Sequence, residues 1–403
     1  MLKRVLTLAA AALVAASLAV AADEPATESK TDLSKGGVVF SSGPNSLSIG
    51  ARVQVRGTWD DREAWDADPE GAAGDGVEDG GSGQFDIPRM RITFKGGMFK
   101  PWLKYEFQYE FSRTSGESSS KVKDALLEFE TSPAAIVKVG QYKVPFSLQE
   151  LTSSGRQQFV DRAITNLKFV PARDMGVSLN GLFLDKTLGY AVGVFNGSGE
   201  SRRQDDQGFL YAGRVYWNPL GEYKLAESAI ENPEKAQLHI GLGYRTGEAV
   251  RGGDVIEDIG TVFQDPDNQS AANLELAWKW GRFFATGEYF SMTDEQENPL
   301  PALADVDSDG WHAQAGVMLI PKVLEVGARY AVIDHNTDLD DTSTSEARLV
   351  VGYFWKGHNL KLQGDVGQLS YDAASPDRSS DNRLVSGQSY DDTQVRLQLQ
   401  LAF

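Results

Sequence analysis

Cysteine is absent from the 403 residues, and histidine occurs only four times. No disulfide framework, thiolate metal site or thiol nucleophile is therefore available. Basic charge is also short: 39 Lys and Arg stand against 57 Asp and Glu, a formal charge of −18. Binding to nucleic acid needs a basic face, so no nucleic-acid partner is expected. After the first 22 residues no apolar run reaches the roughly 18 that a spanning helix needs. Any membrane crossing must be made by strands.

Residues 1–22 read as a signal peptide. Lys3 and Arg4 precede an apolar run from Val5 to Val20, and Ala19-Val20-Ala21-Ala22 offers the small residues of a cleavage site. The mature chain is then exported.

From Leu47 onward the chain alternates. Leu47, Ile49, Ala51, Val53, Val55, Gly57 and Trp59 share one face; Arg52, Gln54 and Arg56 share the other. Such a strand has one side in an apolar medium and one in water. The pattern recurs at 89–95, 103–111, 124–130, 137–139, 177–183, 190–194, 211–217, 238–244, 274–280, weakly at 285–289, then at 311–319, 324–332, 347–355, 360–366 and 395–403, making sixteen strands. The apolar phase carries no charge. Lipid enforces that split, because Lys or Arg on a lipid face costs ~2–4 kcal/mol at mid-bilayer. Trp59, Trp217, Trp280, Trp311 and Trp355 fall near strand ends, where bilayer interfaces would lie. A water-soluble sandwich of sixteen long strands would be unusually large. The expected fold is all-β: a transmembrane antiparallel barrel over 46–403.

Connections alternate too. Gly96-Gly97, Asp185-Lys186-Thr187, Gly281-Arg282 and Pro321-Lys322 are tight; 60–84, 145–174, 246–271, 294–309 and 371–391 are long. Outer-membrane barrels place short turns in the periplasm and long loops outside. The stretch 218–236 breaks the rule and suggests a short periplasmic helix. Polar residues 23–45 read as a mostly unstructured periplasmic leader, and the chain ends inside its last strand with no trailing domain. The loops 60–84, 246–271 and 294–309 are acidic, which suits hydrated segments, or divalent cations held beside lipopolysaccharide.

Few motifs point to catalysis. Asp305-Val306-Asp307-Ser308-Asp309-Gly310 has the spacing of a calcium loop, with Asp305, Asp307 and Asp309 as candidate ligands, but its twelfth position is Gly316 rather than Glu. His239 and His312 fall on the watery phase, and no HExxH occurs. Gly241-Leu242-Gly243 misses nucleotide-loop spacing and lies in a strand. No enzyme activity and no cofactor are expected.

A barrel of sixteen strands is wide enough for an aqueous channel. The best candidate to narrow it is 145–174, the third external loop, which is basic: Arg156, Arg162, Lys168 and Arg173 outnumber Glu150, Asp161 and Asp174. Here specific residues become informative. Gly140-Gln141-Tyr142-Lys143-Val144-Pro145-Phe146, Glu150-Leu151-Thr152-Ser153-Ser154, Phe159-Val160-Asp161-Arg162 and Pro171-Ala172-Arg173-Asp174-Met175-Gly176-Val177 resemble the phosphate-selective porin O/P family. Gly50-Ala51-Arg52 and Pro88-Arg89-Met90-Arg91 look similar to its first two strands. The resemblance implies a trimeric porin of sixteen strands, with the third loop folded inward and lumenal Arg and Lys leading to an anion site. The family often has Arg-Arg-x-Arg where this chain has Pro88.

Arg89, Arg91 and Arg162 are the expected anion site, with Arg52 and Arg56 as its approach and Arg156, Lys168 and Arg173 lining the pore. Arg suits an oxyanion through its planar pair of donors. The watery phase also holds Glu106, Glu110, Asp124, Glu128, Glu275, Glu288, Glu325 and Glu346. An acidic wall facing a basic one is the ordinary lining of a general, weakly selective porin. That is the alternative, and a barrel plugged by 145–174 is a third. Expected partners are small anions such as phosphate, outer-membrane lipid and lipopolysaccharide, and two further copies of the chain.

Overall fold

The computed structural model describes residues 30–32, 37–62, 81–112, 121–201, 208–247, 268–295, 305–373, 375 and 389–403. The candidate signal peptide lies outside the described residues, as do the middles of the long acidic loops. Two short strands come first, β1 (Lys30–Asp32) and β2 (Val38–Ser42). Sixteen longer ones follow: β3 (Asn45–Arg62), β4 (Ser82–Met98), β5 (Lys100–Glu110), β6 (Lys121–Ser132), β7 (Ala135–Lys143), β8 (Arg173–Phe183), β9 (Leu188–Phe195), β10 (Leu210–Trp217), β11 (Gln237–Gly247), β12 (Asn268–Trp280), β13 (Phe283–Glu295), β14 (Val306–Ile320), β15 (Leu324–Asp334), β16 (Ser343–Phe354), β17 (Leu360–Tyr371) and β18 (Tyr390–Ala402). Each strand from β3 onward pairs antiparallel with the next, and β18 returns to β3 with Leu399 opposite Val55. The result is a closed barrel of sixteen strands. Each run of alternation read from the sequence falls on one of them.

Closure leaves no free edge, which satisfies the backbone without water. The outer face is apolar: Val53, Leu242, Leu274, Leu349 and Leu399 point outward, and Trp217, Trp280 and Trp355 stand at the short-turn rim. A shallow concavity of about 940 Å³ on this outer wall is floored by Ala285, Ala313, Ala315, Ala328 and Ala347 and faces lipid rather than the lumen. Among the described residues no helix is long and apolar enough to cross a membrane.

Three expectations change. The leader is not wholly unstructured, because Val38–Ser42 pairs with β3, turning back at Gly43 with φ 56°. Five residues are too few for a periodic signal. The 218–236 connection contains no helix; it is a run of turns that buries Tyr223, Glu227, Ser228 and Ala229. Asp305–Gly310 is no calcium loop, since β14 is already extended from Val306. Asp307 accepts a bond from Thr293 Oγ1 (2.6 Å) and Asp309 from the Tyr289 hydroxyl (3.3 Å). No metal-binding cluster occurs among the described residues.

Strand β13 explains its own weak signal. Its outer face carries Phe283 and Tyr289, but its inner face carries Phe284, Phe290 and Met292, all buried. A strand apolar on both faces loses its alternation. Residues 144–172 cover that inner face.

Candidate functional site

The chain between β7 and β8 contains α1 (Leu148–Leu151), a 3₁₀ turn (Ser154–Arg156) and α2 (Ile164–Phe169). Val144, Phe146, Phe169 and Val170 pack against Phe195, Leu210, Phe290, Met292 and Ile333 from the inner faces of β9, β10, β13 and β15. Phe169 stacks on Phe290 with ring centroids 5.3 Å apart. Burying one such Phe contributes ~1.5–3 kcal/mol.

Polar contacts complete the seat. The Glu288 carboxylate of β13 accepts from the backbone N–H of Leu148 (2.9 Å) and Gln149 (2.7 Å), capping α1. Gln158 Nε2 donates to Glu325 of β15, and Val160 N to Asp365 of β17. Gln363 Nε2 and Lys361 Nζ donate to Gln157 O. Gly316 and Gly327 face each other across β14 and β15, and a Cβ at either would collide with Gln158 Nε2. These glycines give the loop room to lie flat on the wall. Arg162 folds back onto its own segment, pairing with Glu150 (3.1 Å) and donating to the carbonyls of Gln149, Glu150 and Thr152.

The free margin of the loop meets β3 and β4. Arg52 donates through Nη1 to Ser153 Oγ and through Nη2 to Ser154 Oγ, both at 3.1 Å. Arg91 lies directly opposite Arg52 in the ladder and reaches Ser154 Oγ at 3.5 Å and Glu110 at 2.5 Å. One level up, Asp161 is ringed by Arg56 (2.8 Å), Arg396 (3.1 Å) and Arg89 (3.3 Å). Burial opposes ionisation of Asp161, yet those three guanidiniums hold its carboxyl well below the usual range. Arg396 continues the network through Asp365 to Arg348, Glu346 and Arg329.

Pro88 proves to be structural. Gln54 pairs with Arg89 but Arg56 with Asp86, so β4 carries one extra residue at Ile87-Pro88. Proline has no N–H to give the ladder and fits such a bulge. The bulge shifts the phase of β4 and turns Arg89 and Arg91 inward.

Comparison with known proteins adds the decisive observation. A family model described as phosphate-selective porin O and P matches residues 63–403. The chain belongs to that family. An uncharacterized protein of Aquifex aeolicus is 24% identical over 293 residues, 64% of this chain and 66% of that relative, so just under two thirds of its length is spanned. Among solved structures, the anion-selective porin from Comamonas acidovorans superposes with a TM-score of 0.57 at 13% identity, over 89% of this chain and 100% of that one. OmpT of Vibrio cholerae gives 0.55 at 11%, over 90% and 99%. At such identities these two report the barrel fold.

Within this porin the eight basic residues read from the sequence separate. Arg52, Arg56, Arg89 and Arg91 converge on Ser153, Ser154 and Asp161. Arg162 is turned to the loop backbone. Arg173 is paired with both oxygens of Asp124 (2.9 and 3.0 Å). Lys168 stands 3.9 Å from Asp294 near the long-loop rim, and Arg156 is exposed. The expected acidic wall is differently placed. Glu275, Glu288, Glu325 and Glu346 are all buried at 3% exposure or less, beneath residues 144–172 or paired with Arg214, Arg329 and Arg348. Water instead reaches Arg91, Thr93 and Lys95 on β4 and Lys104, Glu106 and Gln108 on β5. Sequence reasoning missed Arg329, Arg348 and Arg396, although all three share the watery phase of their strands. It also missed Glu227, whose carboxylate accepts from Gln158 N at 2.8 Å.

Proposed function

We propose that this protein is an outer-membrane channel for small hydrophilic solutes, exported by its N-terminal signal and preferring anions. Residues 144–172 act as an inward constriction that covers the inner faces of β9–β17 and leaves the passage along β3–β6. The assembly is a homotrimer, as the family reading implies.

The observation that carries the anion preference is the pair Arg52 and Arg91. Like charges directly opposite in a ladder repel. Here the hydroxyls of Ser153 and Ser154 lie between them, and Arg91 also donates to Glu110 and, at 3.3 Å, to Gln108 Oε1. A tetrahedral oxyanion such as phosphate offsets that repulsion with charge-assisted bonds and accepts from the same hydroxyls. The acids that would favour cations are mostly buried or paired. A fully plugged barrel fits less well, because the inner faces of β4 and β5 keep contact with water.

The test is the double variant Arg52→Ala/Arg91→Ala in planar bilayers. Each lost charged bond is worth ~1.5–3 kcal/mol, so phosphate block of the chloride current should weaken by roughly tenfold or more. Unchanged block in the double variant would remove this site from the account.

A further inference from the structure

We propose that the 218–236 connection is a periplasmic brace for the constriction loop, and that Glu227 is the positioning residue that holds it. The inference rests on reading 144–172 as the constriction. Other described connections at this rim are tight turns, such as Gly281-Arg282. This one rises into the barrel mouth beneath the loop. Its own anchors are apolar: Ala229 and Ile230 pack with Phe284, Met318 and Phe354, while Tyr223 and Leu225 pack with Leu148 of α1 and Ala277. Lys279 Nζ donates to Lys224 O (3.1 Å) and lies 4.6 Å from the Tyr223 ring centroid. Asn218 Oδ1 bonds His239 Nδ1 at 2.8 Å.

Between these anchors sits Glu227, a carboxylate only 4% exposed. One oxygen accepts from Gln158 N (2.8 Å) and Gln314 Nε2 (2.9 Å), the other from Gln149 Nε2 (3.2 Å). Its backbone N–H donates to Arg156 O (2.8 Å). Burying a carboxylate is costly unless its donors converge, and filling alone would be cheaper with an apolar side chain. The donors here come from Gln149, on one side of Ser153-Ser154, and Gln158, on the other. Glu227 therefore fixes both flanks of the segment that faces Arg52 and Arg91, and with them the width of the passage.

Single-channel recording tests this with Glu227→Ala and Glu227→Gln, folding being checked by heat-dependent mobility of the barrel in detergent gels. Glu227→Ala should lose the single stable conductance level, show flicker between sublevels and close at lower voltage. Glu227→Gln should restore the parent behaviour, because its carboxamide oxygen still accepts from Gln158 N. If Glu227→Ala does not fold, Gln314→Ala removes one partner of the same carboxylate and should raise the flicker. Parent-like conductance, noise and closing voltage in every folded variant would overturn the brace. The reversal potential keeps the two readings apart: a parent channel without anion preference refutes the arginine site and leaves this test intact.

Discussion

Arg52 and Arg91 show how little a residue's identity says without its neighbours. Arg89, Arg91 and Arg162 look equivalent in the sequence as inward bases near one loop. In the structure Arg162 spends its bonds on Gln149, Glu150 and Thr152, Arg89 serves Gln54 and Asp161, and Arg91 faces Arg52 across the ladder. The inward phase of Arg89 and Arg91 was legible because alternation fixes it. What they bond was not, since Asp161 arrives 72 positions after Arg89 and Ser154 arrives 63 positions after Arg91. Gly316 gives a prediction at the same scale. A Val there would displace the tip of the Gln158 side chain and break its bond to Glu325, loosening the loop's seat on this wall. Its single-channel conductance should fall below that of the parent. An unaltered conductance would mean that the bond from Gln158 to Glu325 does not help to position the loop.

At the scale of elements, all sixteen barrel strands could be read, and most clearly where one face meets lipid and the other water. β13 was faint because Phe290 and Met292 line an inner face that never meets water. The acidic residues of β12–β16 misled for a related reason: their phase was right, but the loop lies over them. The loop's tie to β3, β4 and β18 runs through Asp161 and makes a pH prediction. A carboxyl held below its ordinary value contributes stability that is complete above the unfolded value of about 3.9 and is lost only as pH falls through the lowered folded one. The tie should therefore persist from pH 7 to about 4.5. Current noise arising from this tie should stay flat over that range, whereas Asp161→Asn should be noisy throughout. Noise in the parent that rises well above pH 4 and matches the Asn variant would contradict the network.

Across the whole molecule, a formal charge of −18 coexists with a proposed anion pathway because the two occupy different places. The acidic stretches 60–84, 246–271 and 294–309 lie largely between strands, and several acids of the inner wall are sealed beneath the loop. At the loop's margin four arginines, Arg52, Arg56, Arg89 and Arg91, gather around Ser153, Ser154 and two carboxylates, Asp161 and Glu110; Arg52, Arg89, Arg91, Ser153 and Asp161 keep partial contact with water, whereas Arg56, Ser154 and Glu110 are buried. Net charge governs steering over long distances and is screened by salt within about 10 Å at 0.1 M; selectivity belongs to the narrowest point. The most direct measurement is the reversal potential of the parent channel in a planar bilayer under a potassium chloride gradient, repeated with phosphate on one side. The account predicts a potential displaced toward the chloride equilibrium value and a chloride current that phosphate blocks. A potential near zero or displaced toward potassium, with no block, would contradict it and leave a general porin without an oxyanion site.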